Sequence, residues 1–134
     1  KSFLVSCDNA HAAHPNHTEM ADSGEAITLN GGVVIKHNAN RKYTTEGVTS
    51  ALFAEICHKA GVSVQHYYNR PDQPGGSTLG AILSNQLSVP MLDIGCPQLA
   101  MHSCLETSGA QATEQMVQAL TAFYNDKEND YAGI

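Results

Sequence analysis

Asp8 closes the apolar run Phe3-Leu4-Val5, and His11, His14 and Pro15 follow it within a few residues. A carboxylate fixed at the end of a strand, with imidazoles brought to it by the next loop, is a common way to build a metal or catalytic site. Lys36 ends a second apolar run, Val33-Val34-Ile35, and His102 lies in a loop after a third. Each has a plain structural reading too. Aspartate at a strand end serves as a turn or capping residue, a loop histidine is often solvated, and a lysine on a strand is often a surface charge. Their shared position, at strand ends and in the loops that follow, is what favours a site.

The elements that must position these groups can be read from apolar periodicity. Residues 2–7 read as a strand and residues 9–31 as a long His-, Asn-, Asp- and Gly-rich loop, a length often tied to function. A second strand covers Val33, Val34 and Ile35 and runs into Lys36. Residues 45–60 read as an amphipathic helix with Val48, Leu52 and Ile56 on one face, stopped by Gly61. Residues 62–68 form a third strand, in which Val62, Val64 and His66 alternate with polar positions. A turn through Gly75 and Gly76 precedes a short helix reaching Leu87, and residues 89–94 form a fourth strand closed by Gly95. A last helix carries Met116, Val117, Leu120, Phe123 and Tyr124 as one apolar stripe, and the charged tail after Asn125 is expected to fray. Strands alternating with helices imply an α/β sheet flanked by helices.

The 134 residues suffice for one core, and 42% hydrophobic with 15% charged content describes a folded chain. A net charge of −6 without a Lys/Arg cluster excludes nucleic acid as the expected partner. No stretch approaches the ~20 apolar residues of a membrane span, and the first residues do not read as a signal peptide. Cys7, Cys57, Cys96 and Cys104 are irregularly spaced without a C-x-x-C pair, which favours reduced thiols and a cytoplasmic location. The chain opens with Lys1 directly on a strand-like run and so reads as a piece of a longer polypeptide.

Five motifs occur together: residues 6–16 (Ser-Cys-Asp-Asn-Ala-His-Ala-Ala-His-Pro-Asn), residues 32–38 (Gly-Val-Val-Ile-Lys-His-Asn), Arg41-Lys42-Tyr43, Gly76-Ser77-Thr78-Leu79-Gly80 and Ala100-Met101-His102-Ser103. Their order and spacing closely resemble the C-terminal part of the catalytic domain of the aspartyl aminopeptidase/aminopeptidase I family of dinuclear zinc peptidases. The resemblance runs from about residue 2 to about 124. It implies a mixed sheet flanked by helices, an α/β/α sandwich of zinc-exopeptidase type, with residues 1–134 forming only part of that domain. It further implies that Asp8 ligates one zinc ion and His102 the other, while His11, Lys36 and Tyr43 contact a peptide substrate.

Zinc accepts imidazole nitrogen and carboxylate oxygen, and a lysine or tyrosine at the reacting centre can stabilise a developing oxyanion or anchor a substrate side chain. For Tyr43 the alternative is a packed phenol with a satisfied hydroxyl, and for His11 an orienting role behind a ligand. His14, His37, His58 and His66 read as structural. The glycine-rich segment 75–80 lacks the lysine of a P-loop, so it reads as a helix start facing the substrate cleft rather than a nucleotide site.

Leu105 stands where the family commonly has arginine, and Met20, Glu25 and Ala26 stand where it often has basic residues. These departures weaken an expectation of preference for acidic N-terminal residues. The family's remaining zinc ligands, its catalytic Glu-Glu pair and its inserted assembly domain are all expected upstream, so no catalytic residue is assigned to this segment. The expected whole is a cytoplasmic, homo-oligomeric zinc aminopeptidase with two ions per site. The alternative is a non-catalytic α/β module that keeps the fold for assembly or binding.

Overall fold

The computed structural model describes residues 2–22, 24–70, 72–127 and 131. Most of the tail after Asn125 lies outside the described residues, as does Lys1.

The strands are β1 (Leu4–Cys7), β2 (Ala10–His11), β3 (Val33–His37), β4 (Val64–Tyr68), β5 (Met91–Gly95), β6 (Pro97–Leu99) and β7 (Thr107–Ser108). The helices are α1 (Gly47–Lys59), α2 (Leu79–Leu83) and α3 (Ala112–Asn125). The larger sheet has the order β1-β5-β3-β4. It is mixed: β1 runs parallel to β5 and β3 parallel to β4, whereas β3 and β5 are antiparallel.

Alternation along the strands divides the two faces of this sheet. Val33, Ile35, Leu92 and Ile94 point to one side, where they pack with Phe53 and Cys57 of α1 and Met116 and Ala119 of α3. Ser6, Lys36, Tyr67 and Asp93 belong to the other side, where α2 docks through the Gly80 N–H, which donates to Ser6 Oγ at 3.1 Å. Helices on both faces make the expected α/β/α arrangement.

A second sheet, of order β2-β6-β7, was not foreseen from sequence. Its strands have only two or three residues, too few to show a period. It forms because the paired strands β1 and β5 continue side by side into β2 and β6, with Ala10 N–H donating to Cys96 O at 2.8 Å and Ala12 N–H to Gln98 O at 2.9 Å. The stretch read as a loop over residues 9–31 therefore begins with a strand, and it also holds a 3-10 turn at Thr18–Met20.

Both amphipathic faces need correction. In α1 the buried residues are Thr49, Ser50, Phe53, Ile56 and Cys57, while Val48 is 62% exposed. A strict four-residue repeat drifts around a helix of 3.6 residues per turn, so the three-four spacing wins. The helix starts at a reciprocal capping box between Glu46 and Thr49. In α3, Ala112, Met116 and Ala119 are buried, whereas Val117 and Tyr124 are exposed. Val62 leaves α1 with its N–H on Cys57 O, so the third strand starts at Val64. Among the described residues, no helix is long and apolar enough to cross a membrane.

Candidate functional site

Asp8 sits where the chain passes from the large sheet to the small one. Its N–H donates to Ile94 O at 3.0 Å, which continues the β1–β5 ladder by one residue. Its own Oδ1 accepts the Asn9 N–H at 2.7 Å, and the side chain remains exposed to the cavity. The turn lies so close to β5 that a Cβ at position 95 would fall within the Asp8 carbonyl group, 2.8 Å from the Asn9 carbonyl carbon. Only glycine fits there, so Gly95 ends the strand and also makes room for the Asp8 turn.

The small sheet then brings the two distant histidines to one place. His11 lies on β2 opposite Gln98 of β6, and β6 leads through Ala100 and Met101 to His102. Ala100 and His102 both adopt left-handed backbone, with φ of 57° and 68°. Such residues are uncommon and persist only when neighbours hold them. The holding contact is the Glu106 carboxylate, whose Oε1 accepts the His102 N–H at 2.6 Å.

Lys36, on the same face of β3, is buried, and its Nζ donates to the carbonyl oxygen of Asn9 at 2.9 Å. The ammonium also lies 5.4 Å from the centre of the Tyr43 ring. One of its three donors is thus spent on the turn that presents Asp8. Asp8, His11, Lys36, Tyr43 and His102 all line a single cavity of about 740 Å³. The cavity also takes in Gly75, Gly76, Ser77 and Thr78, so the glycine-rich segment does face the cleft.

The cavity's electrostatics follow from this crowding. Burial, then His102, then Lys36 lower the pKa of His11, which favours a neutral imidazole with a free lone pair. Burial lowers that of Lys36, opposed by Asp8, Asp93 and Cys7. Burial, followed by Tyr67, Asp93 and Asp8, pushes Tyr43 up to about 12, so its phenol stays a proton donor at neutral pH.

Some residues of the site carried no signal that the sequence reading used. Asn9 supplies the carbonyl that Lys36 holds, and Tyr67 lines the cavity with its hydroxyl on Asn69 Oδ1 at 3.1 Å. Asp93 is fully buried behind the wall. Its signal was available: a single charge inside the apolar run Met91-Leu92-Asp93-Ile94 is costly unless satisfied. Of the histidines read as structural, His37 and His66 meet each other, Nε2 to Nδ1, at 3.0 Å, while His14 lines the cavity and accepts the Asn16 N–H at 3.2 Å.

A sequence model described as aminopeptidase I zinc metalloprotease (M18) matches residues 1–124. The chain belongs to that family. It is 44% identical over 126 residues to a probable aspartyl aminopeptidase of Ricinus communis, covering 94% of this chain and 26% of that protein. It is 43% identical over 128 residues to a probable M18 family aminopeptidase 2 of Ectopseudomonas mendocina, covering 96% of this chain and 30% of the relative. Among solved structures, a chain in the cryo-EM structure of the Ape4 and Nbr1 complex matches with a TM-score of 0.88 at 40% identity, over 91% of this chain and 23% of that one. The mApe1 dodecamer of S. cerevisiae matches with a TM-score of 0.80 at 25% identity, over 91% of this chain and 26% of that one. The chain thus spans under a third of the length of these relatives.

The family description names zinc, and the donors here can be tested against it. Asp8 offers carboxylate oxygen and His102 imidazole nitrogen, both accessible from the cavity, and both are ordinary zinc donors. Among the described residues, no group of three or more His, Cys, Asp or Glu side chains could hold a metal ion. The donors therefore fit zinc as a partial set, one that needs ligands from outside the described residues.

Proposed function

We propose that this chain is the C-terminal segment of the catalytic domain of a zinc aminopeptidase that removes N-terminal residues from peptides. The observation that carries the reading is the convergence of Asp8, His11, Lys36, Tyr43 and His102 on one cavity, from segments far apart in sequence. In this reading Asp8 binds one of two zinc ions and His102 the other. The remaining ligands and the general-base glutamate belong to the part of the parent protein that precedes this segment.

When bound, zinc polarises a carbonyl oxygen and lowers the pKa of a bound water. The residues of this chain then divide the work of placement. Tyr43, protonated at neutral pH, donates from its hydroxyl toward the substrate carbonyl. His11, with its pKa lowered, presents a neutral imidazole to the substrate's N-terminal end. Lys36 keeps the Asp8 turn in place through Asn9 and reaches substrate with its remaining N–H groups. In this reading the parent is cytoplasmic and assembles as a homo-oligomer, and the dodecameric neighbour supports the assembly.

The test uses the full-length parent. It should hydrolyse aminoacyl-naphthylamides in a zinc-dependent way with two zinc ions per chain, and isolated 1–134 should be no faster than buffer. Asp8→Ala and His102→Ala should each lower zinc content and cut kcat/KM by ~100-fold or more, since losing even a partner behind a ligand costs ~10–100-fold. Near wild-type activity and zinc stoichiometry in both variants would remove them as ligands. A parent that binds no zinc and hydrolyses nothing would leave the non-catalytic module as the reading.

A further inference from the structure

We propose that Asp93 is the positioning residue of the cavity, a buried carboxylate that fixes two of its walls to the central strand. The proposal rests on the reading of the cavity as a substrate site. Asp93 has no exposed surface, and its two oxygens are shared between two loops. Oδ2 accepts from the Thr44 N–H at 2.6 Å and from the Thr44 hydroxyl at 2.8 Å. Oδ1 accepts from the Thr78 hydroxyl at 2.6 Å. Thr44 is the neighbour of Tyr43, and Thr78 follows the Gly75-Gly76-Ser77 rim, so each bond ends at or beside a residue that lines the cavity.

The main chain reinforces the same arrangement. The Asp93 N–H donates to Thr45 Oγ1 at 3.0 Å, which holds a second residue of the Tyr43 loop against β5. Ser6 lies opposite Asp93 in the sheet and accepts the Gly80 N–H at 3.1 Å, just past Thr78. A Cβ at position 80 would lie 2.9 Å from Asp93 Oδ1 and 3.0 Å from Oδ2, so the absence of a side chain there lets the segment sit on the carboxylate. The two loops are also linked by Lys42 Nζ, which donates to Gly75 O at 2.6 Å in a bond exposed to solvent.

Burying a carboxylate in an apolar strand is expensive unless each oxygen is satisfied. Here three short donor contacts satisfy it, and charge-assisted bonds are stronger and more directional than neutral ones. A hydrophobic residue at 93 could fill the volume but could not set where two loops end. The carboxylate touches neither Asp8 nor His102 by any hydrogen bond described, so its effect should fall on substrate placement and not on metal retention.

The experiment compares Asp93→Leu, Asp93→Asn, Thr44→Val and Thr78→Val in the full-length enzyme. Asparagine is the conservative variant, because its oxygen can still accept from Thr44 while its amide donates to the Thr78 hydroxyl. Hydrogen exchange should rise at least tenfold over residues 43–46 and 75–80 in Asp93→Leu, and over the matching loop alone in each threonine variant. Residues 4–12 should keep their protection. KM should rise at least tenfold with zinc content unchanged, and Asp93→Asn should recover most of that loss.

If Asp93→Leu does not fold, the two threonine variants carry the test. Unchanged exchange in both loops of Thr44→Val and Thr78→Val would overturn the proposal. If the wild-type parent proved inactive, the function reading would fall, and the exchange measurement alone would still decide whether Asp93 holds the walls.

Discussion

Replacing Gly95 by alanine is the sharpest perturbation of the proposed metal side. The new Cβ would stand 2.8 Å from the Asn9 carbonyl carbon and 2.9 Å from that of Asp8, besides overlapping the Asp8 carbonyl oxygen. Carbon atoms rest at about 3.5 Å or more, so the turn must retreat from β5 by at least about 0.7 Å. The neighbours are backbone, with no flexible side chain to swing aside. The Asp8 N–H bond to Ile94 O and the Lys36 bond to the Asn9 carbonyl both resist that movement. Overpacking of this kind costs ~1–3 kcal/mol of stability, and misplacing a reacting group by about 1 Å can cost ~100-fold in rate.

Gly95→Ala in the full-length enzyme should therefore lower zinc content and reduce kcat/KM by ~10–100-fold, with a modest fall in Tm. Gly47→Ala is the control, because a Cβ there meets nothing within 4 Å. It should leave kcat/KM unchanged and be neutral or slightly stabilising, as expected for alanine replacing glycine in a helix. Zinc measured by elemental analysis, together with steady-state kinetics, decides the matter. A Gly95→Ala enzyme with full zinc and kcat/KM within twofold of wild type would refute the claim that this contact places Asp8.

Lys36→Met removes the charged donor to the Asn9 carbonyl and should cost ~1.5–3 kcal/mol in kcat/KM for aspartyl and leucyl substrates alike. A loss confined to acidic substrates would show instead that the ammonium pairs with the substrate side chain. Cys57 is buried, and burial pushes its thiol up to about 12 from an ordinary 9.0, so it should resist a thiol reagent at pH 8 while exposed Cys104 reacts. Because the unfolded chain gives up that proton more readily, the Cys57 contribution to stability is intact below pH 9 and is lost as pH rises toward 12. Denaturant melts of wild type and Cys57→Ala at pH 8 and pH 11 should show the wild type losing more stability with pH, and equal losses would contradict the assignment.

The proposed site residues were picked out in sequence by their types at strand ends and loops and by the family resemblance of the motifs that hold them. Asp8, His11, Lys36, Tyr43 and His102 were all singled out there, and the structure gathers them in one cavity. The strands of the large sheet were legible because their apolar runs are long and bounded by turns. The small sheet was not, since β2, β6 and β7 exist only by virtue of one another's register. Val48 and Tyr124 were misplaced for a related reason: both are apolar and near the right period, yet which arc of a helix is covered is decided by the neighbouring helix and sheet. Lys36 reads in sequence as a substrate contact with no named protein partner, and its bond to Asn9 depends on the turn that Gly95 permits. Asp93 shows a different limit, for its partners Thr44 and Thr78 are unremarkable residues in separate loops.

The pairing of β1 with β5 also has a kinetic meaning. Leu4 sits opposite Met91, so the ladder that places Asp8 beside the β6–His102 segment joins residues far apart along the chain. Closing so long a loop costs entropy before any contact repays it, and such non-local strand pairing slows folding. The β3–α1–β4 unit closes over a much shorter separation and can form earlier. Asp8 and His102 can therefore share a cavity only once the first strand has paired with the fifth.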